Sequence, residues 1–197
     1  MRGPLSTGAA GTANPGAGSG GHVVMFYRGG DEFAGRVSAY LLGALREGGA
    51  AIVIATPEHR RAIRDRLAQA GTDVAAAEAA GAFVALDARE TARRFMVAGW
   101  PDAASFWRVI SPLIRRATEA FKTTCVFGEM VALLWDSGQV NAAIEVEAMW
   151  NEMVAQYPFS LLCGYPVRSV SGDHHQDSLA EVCRVHSSVA GARPGHA

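Results

Sequence analysis

Six side chains that could do chemistry each follow closely on a short apolar run: Tyr27, Glu58, His59, Asp87, Glu129 and Tyr165, with Arg28 and Thr56 beside them. Glu58 and Glu129 could hold a divalent metal, and a metal so held could polarise a phosphoryl group. His59 could contact a ligand, or it could be a partly exposed residue of a helix start; its position fits both. Glu147 shares a helical stripe with Val140, Ala143, Trp150 and Val154, and reads as the half-exposed edge of that stripe. His186 reads as a hydrogen-bonded core histidine. His22 opens the first apolar run and could pair with a backbone group or a carboxylate.

The spacings that make such chemistry specific are missing. No G-x-x-x-x-G-K-[ST] phosphate loop occurs. The turn after the first apolar run reads YRGGDE at 27–32, with no lysine and no Ser or Thr for magnesium. It sets two carboxylates at a helix start, where a phosphate would have to sit. Lys122 is the sole lysine and precedes a later strand, at the wrong end for phosphate. Gly16, Gly18 and Gly21 spell G-x-G-x-x-G but precede the first strand, so the spelling carries no dinucleotide site. H-E-x-x-H, G-x-S-x-G and C-x-x-C are also missing. His174 and His175, with Asp173 and Asp177, could bind a metal but read first as a solvated loop. Cys125, Cys163 and Cys183 are odd in number and lack C-x-x-C spacing, which argues against a disulfide framework or a zinc site, and no metal site is expected. They read as buried thiols of a reducing cytoplasm, and no spacing selects a Cys–His nucleophile pair. No cofactor is implied.

The elements that must position these residues alternate. Strand-like runs at 22–27, 50–55, 83–86, 124–127 and 160–165 are separated by 3.6-residue stripes. Asp31 is expected to cap a helix that ends at Gly48–Gly49. Thr56-Pro57-Glu58 opens another with a capping hydroxyl, proline at the first position and an acid in the first turn. A short helix is expected at 73–80 and another at 89–97. Asp102 caps a strongly amphipathic helix in which Pro112 should cause a kink or a split. Helices at 130–135 and about 140–155 follow, and a last one carries Leu179, Val182, Cys183 and His186 on one face. This alternation implies an α/β fold, a mainly parallel sheet covered on both sides. Ligands of such sheets bind at the carboxyl ends of the strands, which selects the six residues above. Four tryptophans with Met96, Met130, Met149 and Met153 could line an apolar pocket, or could be core.

The chain has 197 residues, 49% hydrophobic and 19% charged, with net charge −1. That suits one domain, expected at 22–189, between Gly/Ala-rich tails at 1–21 and 190–197. The charge balance offers nothing to nucleic acid or an anionic membrane. Arg60, Arg61, Arg64 and Arg66 read as a solvated helix face. No apolar run is long enough to span a bilayer, and the N-terminal stretch lacks the apolar centre of an export signal.

Several strings, in order, resemble the MEDS domain, the sensory domain of DcmR-type regulators of methanogens and methylotrophs. They are HVVMFY at 22–27, ATPEHR at 55–60, LDA at 86–88, FMVAG at 95–99, GEMVALLW at 128–135, EAMWN at 147–151, LLCGYP at 161–166 and HS at 186–187. The resemblance implies a three-layer, RecA/KaiC-like fold without a phosphate loop. Glu58 would fall near the catalytic glutamate region of such ATPases, and Glu129 near their metal-binding acid. It also implies a non-catalytic sensor of a small, apolar effector that signals to a separate protein such as a kinase, an anti-sigma factor or a transcription regulator. Residual nucleotide binding and a protein-only scaffold are the alternatives. The family's ligand residues are not implied by the motifs, so the six candidates rest on their strand-end positions.

Overall fold

The computed structural model describes residues 21–170 and 176–190. Its strands are β1 (Gly21–Tyr27), β2 (Ala50–Ala55), β3 (Phe83–Asp87), β4 (Met96–Val97), β5 (Trp100–Pro101), β6 (Thr124–Gly128), β7 (Ser160–Pro166) and β8 (Ser188–Ala190). Its helices are α1 (Gly30–Arg46), α2 (Pro57–Gln69), α3 (Val74–Ala79), α4 (Ala88–Arg93), α5 (Ala103–Ala120), α6 (Met130–Asp136), α7 (Val140–Gln156), α8 (Val167–Val170) and α9 (Gln176–Val185).

Six strands form one sheet in the order β3-β2-β6-β7-β1-β8, every neighbouring pair parallel. Such strands need cover on both faces, and the apolar runs of β2 and β7 are buried throughout. On one face Phe33, Val37 and Leu41 of α1 pack with Ile63 and Leu67 of α2. On the other, Phe106, Ile110 and Ile114 of α5 join α6, Val146 and Trp150 of α7, and Val182 of α9. The result is a three-layer α/β domain.

Local chemistry sets the boundaries. Thr56 caps α2 as expected, its hydroxyl accepting the His59 N–H at 3.4 Å. Asp73 and Asp102 cap α3 and α5. At the end of α1, Gly48 takes φ 71°. Its N–H and that of Gly49 return to the carbonyls of Leu45 and Ala44, a Schellman ending.

The structure departs from the sequence reading at five points. Gly29, not Asp31, precedes α1, and the Glu32 carboxylate reaches back to accept the Arg28 N–H at 2.9 Å. The helix expected at 89–97 stops at Arg93 and is followed by the β4–β5 hairpin, because Ala98 (φ 50°) and Gly99 (φ 81°) form a tight left-handed turn. Pro112 does not split α5; it lies on the exposed face, where water can satisfy the carbonyl it frees. A sixth strand, β8, pairs with β1, so the folded chain takes in Gly21 and Ala190, both assigned to tails. Its three residues are too few to show a pattern. Glu147 is fully buried, not half-exposed. The tails at 1–20 and 191–197, the Gly16 and Gly18 spelling, and His174–His175 with Asp173 lie outside the described residues.

Gly49 sits where α1 hands over to β2. A Cβ there would lie 2.5 Å from the Thr123 carbonyl oxygen and 2.9 Å from that of Ala44. The Thr123 oxygen also accepts the Ala50 N–H at 2.7 Å, so it cannot withdraw without loosening β2 from β6. Gly49→Ala is therefore expected to lower stability by roughly 2–3 kcal/mol in urea denaturation. Gly48→Ala, which only strains a left-handed residue, should cost about 1 kcal/mol.

Candidate functional site

Strand β2 is followed by a helix on one face of the sheet, while its neighbours β3 and β6 are followed by helices on the other. The chain thus opens a crevice on each side of the carboxyl end of β2, the place where open α/β sheets take ligands. The first turn of α2 bridges both. Arg60 reaches Asp87 at the end of β3, 3.3 Å away, and His59 reaches Glu129 at the end of β6.

The Glu129 pair is the better built. One carboxylate oxygen lies 2.6 Å from His59 Nδ1, and the other accepts the Thr56 N–H at 3.1 Å. The Glu129 N–H itself donates to the Ile54 carbonyl, closing the β2–β6 junction. Glu129 is buried, while His59 keeps a partly exposed edge. Phe33 stacks on the imidazole with ring centres 3.9 Å apart, and Tyr27 meets it edge-on at 6.3 Å. Burial, followed by the charge of Glu129, pushes the Tyr27 phenol well above its ordinary value, with Arg168 opposing. Tyr27 is therefore a neutral hydroxyl at this site.

Of the six strand-end residues, the structure brings together Tyr27, His59 and Glu129. Asp87 occupies the neighbouring crevice, pairing with Arg60 and capping α4 through the Glu90 N–H. Glu58 is exposed on α2 and faces a shallow polar groove against α1, where Asp31 pairs with Arg66. Tyr165 turns inward and donates its hydroxyl to Glu147 Oε1 at 2.8 Å.

That inward turn leads to residues the strand-end argument does not reach. Glu147 of α7 meets His22 Nε2 at 3.1 Å, Cys163 Sγ at 3.3 Å and His186 Nε2 at 3.5 Å, all buried. Burial alone would raise the Glu147 carboxyl, but His186 and His22, with the Tyr165 hydroxyl, bring it down to about 2. Burial and then Glu147 push the Cys163 thiol and the Tyr165 phenol well above their usual values. His22 thus pairs with a carboxylate, one of its two expected roles, and His186 is a core histidine bonded to the Val182 carbonyl through Nδ1 at 2.6 Å. The signal available in sequence was the period-two spacing of Cys163 and Tyr165 on β7, which puts both on one face.

A cleft of about 450 Å³ opens between α4, the hairpin and α6. Ala92, Met96, Met130, Leu133 and Leu134 form its apolar wall, and Arg89 and Arg93 stand at its rim. Of the expected pocket-lining methionines, Met96 and Met130 take this role; Met149 and Met153 are core, as are Trp135 and Trp150. Among the described residues, no helix is long and apolar enough to cross a membrane.

Residues 21–187 match the family model described as MEDS, the methanogen/methylotroph, DcmR sensory domain. Among solved structures, the chain is similar to a KaiC-like protein from the hyperthermophilic archaeon Pyrococcus horikoshii. The TM-score is 0.56 at 13% identity, over 86% of this chain and 71% of that one. At that identity the likeness is one of fold, and the fold is RecA/KaiC-like. No curated protein matches.

Removing the Glu129 carboxylate would leave the Thr56 N–H and His59 Nδ1 without their acceptor. Glu129→Ala is therefore expected to lower stability by about 1–3 kcal/mol in urea denaturation. Glu58→Ala, on the exposed turn only one residue from His59, should stay within about 0.5 kcal/mol of the parent.

Proposed function

The chain belongs to the MEDS family of sensory domains, and from that premise we propose that it is a non-catalytic, cytoplasmic sensor that takes a small apolar effector in the cleft between α4 and α6 and signals to a separate protein. The observation that carries this reading is the position of α6. Its first residue, Met130, walls the cleft and directly follows Glu129, the acid that ties β6 to the first turn of α2. An effector seated against Met130 and Leu133 would bear on that tie, and the equilibrium between two arrangements of α6 would follow the effector's difference in affinity for them. The cleft suits a small, largely apolar molecule oriented by few polar groups. Val97 and Trp100, both exposed on the hairpin that closes the cleft, supply an apolar surface for a protein partner.

The nucleotide reading is less well supported. Where a phosphate would meet the start of α1, the Glu32 carboxylate accepts the Arg28 N–H, and Asp31 adds a second negative charge. A phosphate there would face like charge.

A thermal-shift series against small apolar and halogenated compounds, nucleotides and divalent metals tests the proposal. An apolar ligand at 100 times its Kd should add about 2.7 kcal/mol, a rise of several degrees in Tm. Leu133→Trp, which fills the cleft, should abolish the shift while leaving the unliganded protein folded. A shift with magnesium ATP that is lost in Glu129→Gln would overturn the proposal in favour of nucleotide binding. No shift with any compound would favour a scaffold that binds protein alone.

A further inference from the structure

His22, Glu147, Cys163 and His186 offer four buried ligand atoms that all lie within 4.8 Å of one another. We infer that they form a binding site for a borderline-soft divalent transition metal, zinc(II) before others, with a closed shell of two imidazoles, one thiolate and one carboxylate. The site shares no residue with the lining of the effector cleft.

The protons are arranged for coordination. Asn151 Nδ2 donates to the Val185 carbonyl at 2.8 Å, which fixes its Oδ1 as an acceptor. That oxygen lies 2.9 Å from His22 Nδ1, so Nδ1 carries the proton and Nε2 is left to face Cys163 and Glu147. His186 repeats the pattern: its Nδ1 donates to the Val182 carbonyl, and its Nε2 points at Glu147. Each imidazole is thus held by an outer acceptor in the tautomer a metal requires. The second Glu147 oxygen is likewise engaged, by the Tyr165 hydroxyl.

With both imidazoles neutral, hydrogen bonding leaves this centre short of donors. Two imidazole Nε2 atoms and a carboxylate converge on a single thiol proton, and His186 Nε2 has no hydrogen-bond partner among the described residues although it is buried. A cation supplies what is missing. Bonds of about 2.0–2.1 Å to nitrogen and oxygen and about 2.3 Å to sulfur give tetrahedral edges of roughly 3.3–3.6 Å. His22 Nε2 to Cys163 Sγ is 3.2 Å, His22 Nε2 to Glu147 is 3.1 Å, and Cys163 Sγ to Glu147 is 3.3 Å. His186 Nε2 stands 3.5 Å from the other carboxylate oxygen, and with ligand atoms spread over up to 4.8 Å it must move inward to complete the shell. On binding, the Cys163 thiol loses its proton to solvent, and thiolate plus carboxylate neutralise a doubly charged ion, so the buried site carries no net charge. Four protein ligands mark a structural site. It joins β1, α7 and β7 to the segment between α9 and β8, where the Ser187 N–H and hydroxyl also bond the His22 carbonyl.

The test uses the full, untagged chain, purified from medium supplemented with zinc or with cobalt and freed of loosely held metal by gel filtration. One equivalent of metal per chain by mass spectrometry is expected. The cobalt form should show thiolate-to-cobalt charge transfer in the near ultraviolet and the intense visible bands of tetrahedral cobalt(II). Cys163→Ser should lose the charge-transfer band, and Asn151→Ala, which frees His22 and the Val185 carbonyl, should weaken affinity 10- to 100-fold in a competition titration. A His174→Ala, His175→Ala double variant should keep the metal. Chelation should lower the parent's Tm by several degrees, with recovery on adding zinc. The inference is overturned if the folded parent holds no more metal than Cys163→Ser, or if the double variant is the one that loses it. A charge-transfer band that survives Cys163→Ser would overturn it as well.

Discussion

A carboxylate with no exposure to water must be met on every side by groups that favour its charge, and Glu147 imposes that condition on this chain. It projects from α7 into the layer between helices and sheet, where an unpaired charge would cost more than the packing of one helix returns. Its partners come from β1, from β7 and from beyond α9, so the condition is met only when the first and last strands of the described residues are in place. Strand pleating makes this possible. His22, Val24 and Phe26 share one face of β1, and Leu161, Cys163 and Tyr165 share the same face of β7; the parallel register sets His22 beside Leu161 and Val24 beside Cys163. A slip of one residue in either strand would turn the partners away and strand the charge, so Glu147 fixes register as well as contact.

Glu129 meets the same physics under looser terms. It too is a buried carboxylate, but it lies at the lip of the sheet with an imidazole that is partly in water. Its partners are a backbone N–H and one side chain of α2, both within one helical turn. The inner acid is enclosed by groups drawn from across the fold; the outer one is held by a single hinge between β2 and β6. Under the proposed sensor reading, the site that responds to a ligand is the one with fewer partners, as elements that move are drawn from the less constrained parts of a fold.

Legibility in the sequence followed the range of the interactions. The unbroken apolar runs of β2 and β7, the Thr56-Pro57-Glu58 helix start and the Gly48–Gly49 ending are local, and each stood where it was read. The strand-end rule named Tyr27, His59 and Glu129, which the structure brings together, because position in a parallel sheet follows from alternation alone. It could not find the Glu147 cluster, whose members meet only after the sheet order places β1 between β7 and β8. A helical stripe shows Glu147 on an apolar face but does not show what waits opposite. The β4–β5 hairpin escaped because two-residue strands have no period, and its turn begins with Ala98, a residue that rarely accepts a positive φ. His22, Glu147, Cys163 and His186 each sit in one of the strings by which the chain resembles its family, but no string shows that the four meet.

Helix α6 is where these parts meet. Its start follows Glu129, and one side, through Met130, Leu133 and Leu134, walls the cleft. Trp135, near its end, packs edge-on against Tyr165 at 5.7 Å and donates its indole N–H to the Ser169 carbonyl. Tyr165 in turn bonds Glu147. The cleft, the hinge acid and the buried cluster are therefore joined through one short helix by contacts that are continuous and packed. A helix of two turns moves as one rigid body, so a displacement at one end is felt at the other as a shift or as a rotation about it. Whatever displaces Met130 must either move Trp135 against Tyr165 or be resisted by it, and the resistance is set by how firmly Glu147 holds the tyrosine. A cluster held firmly beneath α6 would make that end a pivot about which the Glu129 end swings, and under the proposed sensor reading occupancy of the cleft would then become a motion at the crevice between β2 and β6.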